Sequence, residues 1–571
     1  MLKWERKRTW QSRLTDAAIL AAGLALLYGL VTMSGMWLGP YHPAMEISLR
    51  PSALPAYAAY SLFRMAVAYV LSLLFAVTYG WLAARSSRAE QLMIPLLDVL
   101  QSIPVLSFLP AVMLAMVGLF PHHELGVEMG VVLLIFTGQT WNIAFSFYSS
   151  IKSIPRELGE VAGLYRFSAW QRFRQLELPY AAIGLVWNSM MSVAGGWFFL
   201  IACEMFVLGQ RDFRVPGLGS YLQTAASAGD TRAIWWGLAT MVGVIILLDQ
   251  LIWRPLTVWS GKFRFEQLES TADSRSFWLD FVRQSRALRK ARKATFDPLM
   301  ERVTLFFARR ARAGAGRGVP AALKVWVTRA AAAVTVAAIG LGAVRAVGMI
   351  TGLNGQEIGE LLRGTAWTFA RVNLALLLGA LWTVPAGVAI GLHPRLARIA
   401  QPLAQIAASV PATALFPVVL LVLIRAGGGM QLASILLILL GTQWYLLFNV
   451  IAGASSIPTD LKEAASVFKF GTLERWRDLI LPGIFPYLVT GFVTASGGAW
   501  NATIVAEYFQ FKGRILSTQG LGATINKATD SGNFDLLLAA TMVMALIVVT
   551  VNRLLWRRLY RLAERRFRIE A

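Results

Sequence analysis

Cysteine is almost absent from this chain. Cys203 is the only one in 571 residues, which excludes an internal disulfide framework and a cysteine-based zinc cluster. Histidine is nearly as scarce, with four scattered positions, so no metal site is expected. Acidic side chains are few: 31 Asp and Glu stand against 54 Lys and Arg, a net charge of +23. Charge of either sign is thin, at 15% of residues against 56% hydrophobic, which excludes a set of soluble domains. No G-x-x-x-x-G-K-S/T phosphate loop occurs, so the chain cannot itself cradle ATP in the usual way. Nor is there a nucleophile–base constellation or a paired-carboxylate site; an enzyme is not expected, and no catalytic residue is assigned.

What fills the chain is apolar sequence. Mean hydropathy is +0.56, and runs of about twenty apolar residues recur, the length an α-helix needs to cross a bilayer core of roughly 30 Å. In lipid the backbone must satisfy its own hydrogen bonds, so these runs should be helices. The fold class expected is an all-α, multi-pass membrane protein. Spans are expected at 17–38, 56–84, 92–120, 128–150, 178–206 and 232–256, then at 328–349, 363–392, 401–424, 431–454, 482–508 and 534–555, about twelve in all. The apolar part of the N-terminus is too long for a signal peptide, so a retained first span is the better reading.

The basic residues gather in short segments between spans, in one long linker and at both termini. That placement fits cytoplasmic loops held against anionic membrane lipid rather than nucleic acid, for which no recognition module is present. Lys3, Arg6, Lys7, Arg8 and Arg13 precede the first span, which places the N-terminus, and by alternation the C-terminus, in the cytoplasm. The linker stretch FWLDFVRQSRALRKARKATF alternates aromatic and basic residues. It reads as an amphipathic helix on the inner leaflet, or as a regulatory arm.

The two halves are copies. An offset of 303 joins Trp141 to Trp444, Gly195 to Gly498, Trp197 to Trp500, Glu204 to Glu507 and the Gly-Leu-Gly at 217–219 to that at 520–522. Upstream the offset is 307, joining Arg64 to Arg371 and Pro104 and Pro110 to Pro411 and Pro417. Six spans per copy give both the same orientation, hence parallel repeats about an axis along the membrane normal. The organisation expected is a first domain at 1–256, a basic cytoplasmic linker at 257–326 and a second domain at 327–571.

Each copy carries one polar, helix-prone element between apolar runs: SIPRELGEVAGLYRFSAWQRFRQLELP at 153–179 and SIPTDLKEAASVFKFGTLERWRDLILP at 456–482. Pro155 and Pro458 pre-set a helix start, and Glu157 and Asp460 fall in its first turn, where the helix dipole favours negative charge. Leu158, Val161, Ala162 and Tyr165 share one face by i, i+3, i+4, i+7 spacing, as do Leu461, Ala464, Ala465 and Phe468. Such a short amphipathic helix suits a groove on another protein; the plainer reading is a helix lying flat on lipid. Pro179 and Pro482 open the following spans.

Glu463-Ala464-Ala465 with Leu481-Pro482 resembles the EAA loop of the permease subunits of bacterial ABC importers; Glu160-Val161-Ala162 with Leu178-Pro179 is a looser match. Ala506-Glu507 before Gly520-Leu521-Gly522, and Cys203-Glu204-Met205 before Gly217-Leu218-Gly219, resemble the nitrate/sulfonate/taurine-type permeases, here with two permease domains in one chain. The resemblance implies a type I, MetI-like permease fold in two parallel six-helix repeats within the inner membrane. It implies coupling helices that dock into two separate ATPase subunits, identical or distinct, and a partner solute-binding protein outside. ATP and Mg would sit on those partner subunits, with no cofactor on this chain. Glu160, Val161, Ala162, Tyr165, Glu463, Ala464, Ala465 and Phe468 would carry the coupling. The solute would be a small anion of the nitrate, sulfonate or taurine kind. The family's glycine six residues after the EAA glutamate is absent; Arg166 and Lys469 stand there.

Mid-span polar and aromatic residues are candidates for lining a pathway: Gln139, Trp141, Asn142 and Asn188 in the first copy, Gln443, Trp444 and Asn501 in the second, and the pair Trp197 and Trp500. Helix–helix packing would explain the same residues. Arg64 and Arg371 stand inside spans, where a charge needs water or a partner. They could attract an anion, snorkel to head groups or pair within the bundle. The alternative of a different class is an ion-coupled secondary transporter or channel, which needs intramembrane ionisable pairs that this sequence offers sparingly.

Overall fold

The computed structural model describes residues 46–208, 211–263, 292–313, 351–511 and 514–566, with single positions elsewhere. The expected spans at 17–38 and 328–349, and most of the linker stretch at 277–296, lie outside the described residues. The first copy comprises α1 (Leu54–Arg85), α2 (Ser87–Ser102), α3 (Leu109–Leu119), α4 (Leu125–Lys152), α5 (Arg156–Leu164) and α6 (Leu178–Glu204). A hairpin of β1 (Val207–Leu208) and β2 (Arg211–Asp212) follows, then α7 (Leu218–Ala228) and α8 (Thr231–Leu248), which runs on through a π-helical turn into a helix at Arg254–Gly261. The linker contributes α9 (Asp297–Ala313).

The second copy repeats this order. It contains α10 (Gly355–Leu392), α11 (Pro394–Ser409), α12 (Ala412–Arg425), α13 (Met430–Ser456), α14 (Thr459–Val467) and α15 (Leu481–Ala506). It continues with β3 (Tyr508–Phe511) paired antiparallel to β4 (Arg514–Ser517), then α16 (Leu521–Ser531) and α17 (Phe534–Val551), which runs on through a π-helical turn into a helix at Arg557–Arg566. The protein is an all-α membrane protein of two repeats, its only described strands being these two short hairpins.

Among the described residues, eight helical segments are long and apolar enough to cross a membrane. The third expected span of each copy, at 92–120 and 401–424, is not one of them. Each is broken: α2 and α3 are separated by a 3-10 turn at Val105–Phe108, and α11 and α12 meet at 80°. The cause is proline. Ile103 and Val410, the residues before Pro104 and Pro411, sit at ψ 128° and 116°, since a following proline ring disfavours helical ψ.

In each repeat one helix is central. α4 packs between α1 and α6, and α13 between α10 and α15. Helices in lipid gain little from the hydrophobic effect and associate through close packing, so small residues mark the contacts. On α1 the buried face carries Ala58, Ser61, Ala68, Ser72, Ala76 and Gly80; on α10 it includes Gly364, Thr368, Ala375, Gly379, Thr383 and Gly387. A Cβ on Gly387 would lie 2.8 Å from the Val450 side chain, so only glycine allows this approach of α10 to α13. The repeats meet along the broken segments: the turn after Pro104 lies against α15, and α12 lies against α6. Leu106 donates its backbone N–H to the Asn501 side-chain oxygen at 3.4 Å across that seam.

The short polar helices α5 and α14 end alike. Phe167 N donates to Ala162 O (3.0 Å) and Arg166 N to Gly163 O (2.9 Å); Phe470 N donates to Ala465 O (3.0 Å) and Lys469 N to Ser466 O (3.1 Å). This pair of bonds closes a helix with a left-handed residue, and Arg166 (φ 49°) and Lys469 (φ 54°) are the two non-glycine residues with positive φ among those described. They occupy the positions where the EAA-loop family has glycine, and the bend is made without it. A side chain in this region costs on the order of 1 kcal/mol or more. Arg166→Gly and Lys469→Gly should therefore each raise stability by up to about 1 kcal/mol, read as a higher unfolding midpoint in detergent. A lowered midpoint would contradict this origin of the bend.

Candidate functional site

The helices α5 and α14 present most of their apolar side chains outward. Val161, Leu164 and Tyr165 are exposed on the first, and Leu461, Val467 and Phe468 on the second, with Tyr165 and Phe468 both 75% exposed. Glu160 and Glu463 are also exposed. Ala162 and Ala465 turn the other way and are buried. The face expected from the sequence is thus split: Ala162 and Ala465 seat the helix on its own chain, and the aromatic at its end is turned to the outside. Leu164, Val467 and Leu473 belong to the exposed set and were missed, because helical spacing does not say which side is occupied. Exposed apolar clusters with a polar rim mark interaction surfaces.

Beneath these helices the copies differ. In the first, the buried Glu177 carboxylate accepts from Trp81 Nε1 at 3.0 Å and pairs with Arg172 Nε at 3.1 Å. In the second, the positions of Glu177 and Trp81 are held by Ile480 and Val388, packed in an apolar cluster with Val450, Ala454, Ile457 and Ile484. Both helices are followed by a π-helical turn, at Phe173–Glu177 and Arg475–Ile480, leading into Pro179 and Pro482. Those prolines lack the N–H that a continuous α-helix would need there.

The pathway candidates fall into three groups. Trp444 and Asn501 line a cavity of about 390 Å³ where α6 of the first repeat faces α11, α13 and α15 of the second. Asn142 and Asn188 line a separate polar cleft within the first repeat, with Gln101, Ser146 and Ser150; Asn188 Nδ2 donates to Ser146 Oγ at 3.0 Å. The remaining five pack between helices. Trp197 and Trp500 are buried, Gln443 accepts from Trp382 Nε1 at 3.1 Å, and Gln139 Nε2 lies 2.9 Å from Met65 Sδ. The Trp141 ring meets Phe75 edge-on at 6.4 Å. The cavity also takes in Trp187, Met190, Met191 and Phe198 of α6 and Gln401 and Gln405 of α11. The four on α6 carry no signal in the sequence, since apolar side chains on an apolar span look alike, and Gln401 and Gln405 lie on a helix that hydropathy merges into one span with α12.

Arg64 and Arg371, expected among other readings to attract an anion, are instead buried against protein carboxylates. Arg64 grips Glu128 with two parallel bonds, Nε to Oε2 at 2.5 Å and Nη2 to Oε1 at 2.6 Å. Its Nη1 reaches Glu204 Oε1 at 2.9 Å and the Pro216 carbonyl at 2.8 Å. Glu204 also accepts from Ser61 Oγ at 2.7 Å and from the Gly219 N–H at 2.8 Å. The second copy is homologous: Arg371 pairs with Glu507 and donates to the Gln519 carbonyl at 3.0 Å, while Glu507 accepts from Thr368 Oγ1 at 2.7 Å and Gly522 N at 2.8 Å. Gln431 stands where Glu128 stands in the first copy and accepts from Arg371 at 3.3 Å.

These ties explain the Gly-Leu-Gly motifs. A Cβ on Gly217 or Gly520 would overlap the Glu204 or Glu507 carboxylate, and the first N–H groups of α7 and α16 point at that charge, as helix N-termini favour. Beside the second tie, burial and the bond to Asp530 push the Tyr508 phenol up. Removing one partner of a buried pair leaves an uncompensated charge, which costs about 3–5 kcal/mol. Arg64→Leu and Glu507→Gln should each destabilise the detergent-solubilised protein on that scale, seen as a large fall in unfolding midpoint. Unchanged stability would refute the tie.

The architecture defined here is that of a transport permease: two membrane repeats, a cavity at their seam, and an outward-facing short helix on each. The chain belongs to the family described as binding-protein-dependent transport system inner membrane component, which matches residues 76–252 and again 375–569. It is similar to a nitrate import permease protein of Leptolyngbya laminosa, 28% identical over 196 residues, 34% of this chain and 67% of the relative. The taurine transport system permease protein of Escherichia coli K12 is 30% identical over 213 residues, covering 37% of this chain and 74% of its own length. A bicarbonate transport system permease protein of Synechocystis is 29% identical over 153 residues, 26% and 53% respectively. Each relative aligns with about one repeat, whereas the family match occurs twice, so the chain is two fused permease domains.

Proposed function

We propose that this chain is the transmembrane permease subunit of an ATP-driven importer, moving a small solute inward across the cytoplasmic membrane. The observation that carries the reading is the pair of exposed, identically capped helices α5 and α14, one per repeat. An ATPase that works as a dimer offers two clefts, and this chain supplies an insert for each. ATP and Mg belong to those separate subunits. A solute-binding protein on the opposite side would deliver the solute, in keeping with the family's description as binding-protein-dependent.

In this scheme α5 and α14 face the cytoplasm, as do both termini. ATP-driven closure of the two ATPases moves the coupling helices together, and the π-helical turns pass that motion into α6 and α15, whose seam holds the cavity. Transport then depends on a two-state bundle whose balance ATP and solute each bias. The relatives named for nitrate, taurine and bicarbonate support a small polar or anionic solute.

The test is uptake by reconstituted importer carrying Glu160→Arg or Glu463→Arg. Both glutamates are exposed, so folding should be unaffected. ATP-driven uptake should fall at least tenfold for either variant, with loss of ATPase co-purification when both are combined. Full uptake by the double variant would sink the coupling assignment.

A further inference from the structure

We propose that the seam cavity takes an organic solute with an apolar body and a hydrogen-bonding head, rather than a bare inorganic anion. The inference rests on the permease reading and specifies its substrate. The cavity has two unlike walls. The α6 wall is apolar and large, with Trp187, Met190, Met191 and Phe198. The facing wall sets amides and rings, Gln401, Gln405, Trp444, Tyr445 and Asn501, among apolar residues such as Leu440, Phe448 and Ile451. No Lys, Arg, His, Asp or Glu is among the described residues that line it.

The asymmetry lies in the side chains, since the two repeats share one backbone plan. At an offset of 303, Trp187, Met191 and Phe198 correspond to Thr490, Thr494 and Asn501. The first repeat therefore carries bulk and apolar surface where the second carries hydroxyls and an amide. Arg64 and Arg371 are engaged by Glu128, Glu204 and Glu507, and neither they nor Arg398, one turn before Gln401 on α11, line the cavity. A small hydrated anion entering here would lose water without meeting a charge, which is unfavourable. An apolar body would gain by covering the α6 wall, and the head would find the Gln401 amide and the Tyr445 hydroxyl opposite, the mix typical of small-molecule sites.

The single native cysteine, Cys203, is buried, so Ala194→Cys, at a lining position, places one reactive thiol in the cavity. In the full chain in nanodiscs, its alkylation by a small maleimide is followed with neutral primary n-alkanamides from acetamide to heptanamide, and with nitrate. The head is constant through the series and only the body grows. Half-protecting concentration should fall about threefold to fourfold per added methylene, the scale of burying one CH₂, and nitrate should not protect. Adding Met191→Thr and Phe198→Asn, the second repeat's own residues, should flatten the series.

Equal protection by nitrate and heptanamide, a flat series in the unaltered cavity, or a thiol that never reacts would overturn the inference. No ATPase takes part in this assay, so the two readings fail separately. A flat series with ATP-driven uptake intact removes only the solute class. A steep series with no ATP-driven uptake removes the permease reading and leaves the cavity.

Discussion

Two arginines buried in a membrane protein set the terms for the rest of this structure. A guanidinium cannot lose its charge at any ordinary pH, so each must be met by acceptors where it lies. Arg64 is met from α4 by Glu128, from the end of α6 by Glu204, and from the loop before α7 by the Pro216 carbonyl. Arg371 gathers the equivalent pieces of the second repeat. One side chain thus fixes three helices and the loop before α7 relative to one another, at the end of the bundle opposite α5 and α14. A bundle rigid at one end can rock as a unit when pushed at the other, which is what coupling to an external motor requires.

The repeats share this frame and differ in what is mounted on it. Where the first copy seats its short helix over a buried Glu177 bound by Trp81 and Arg172, the second uses Ile480 against Val388. The first arginine has two carboxylates and the second has one with a glutamine. The cavity walls diverge in the same way. Fusion of two domains in one chain permits this: each repeat can change alone, whereas two copies of one subunit must change together. The consequence is a seam cavity whose walls come from unlike residues of the two repeats.

Much of this was legible in the sequence, and the limits have physical reasons. The repeat, its offset, the long spans and the two polar helices follow from periodicity and spacing, which are local properties. Pro104 and Pro411 were visible too, but hydropathy averages over a break, so the third spans read as continuous until Ile103 and Val410 showed extended backbone. The partners of Arg64 lie 64 and 140 residues away, beyond any pattern argument. Helical spacing grouped Ala162 with Tyr165, yet burial separates them, because spacing defines a face and only packing says what covers it. The α6 wall was invisible for the opposite reason. Trp187 and Met191 look like any lipid-facing residues, and the second repeat alone turns them into a cavity.

The account stands on one chain filling both clefts of a paired motor. Its most direct test is the mass of the complex released gently from native membrane, with each component identified. The account predicts one copy of this chain with two ATPase subunits, falling to one ATPase when either short helix is shortened at its exposed aromatic, Tyr165→Ala or Phe468→Ala. A complex of two such chains with two ATPases, or a chain that carries no ATPase under conditions that preserve membrane complexes, would contradict it.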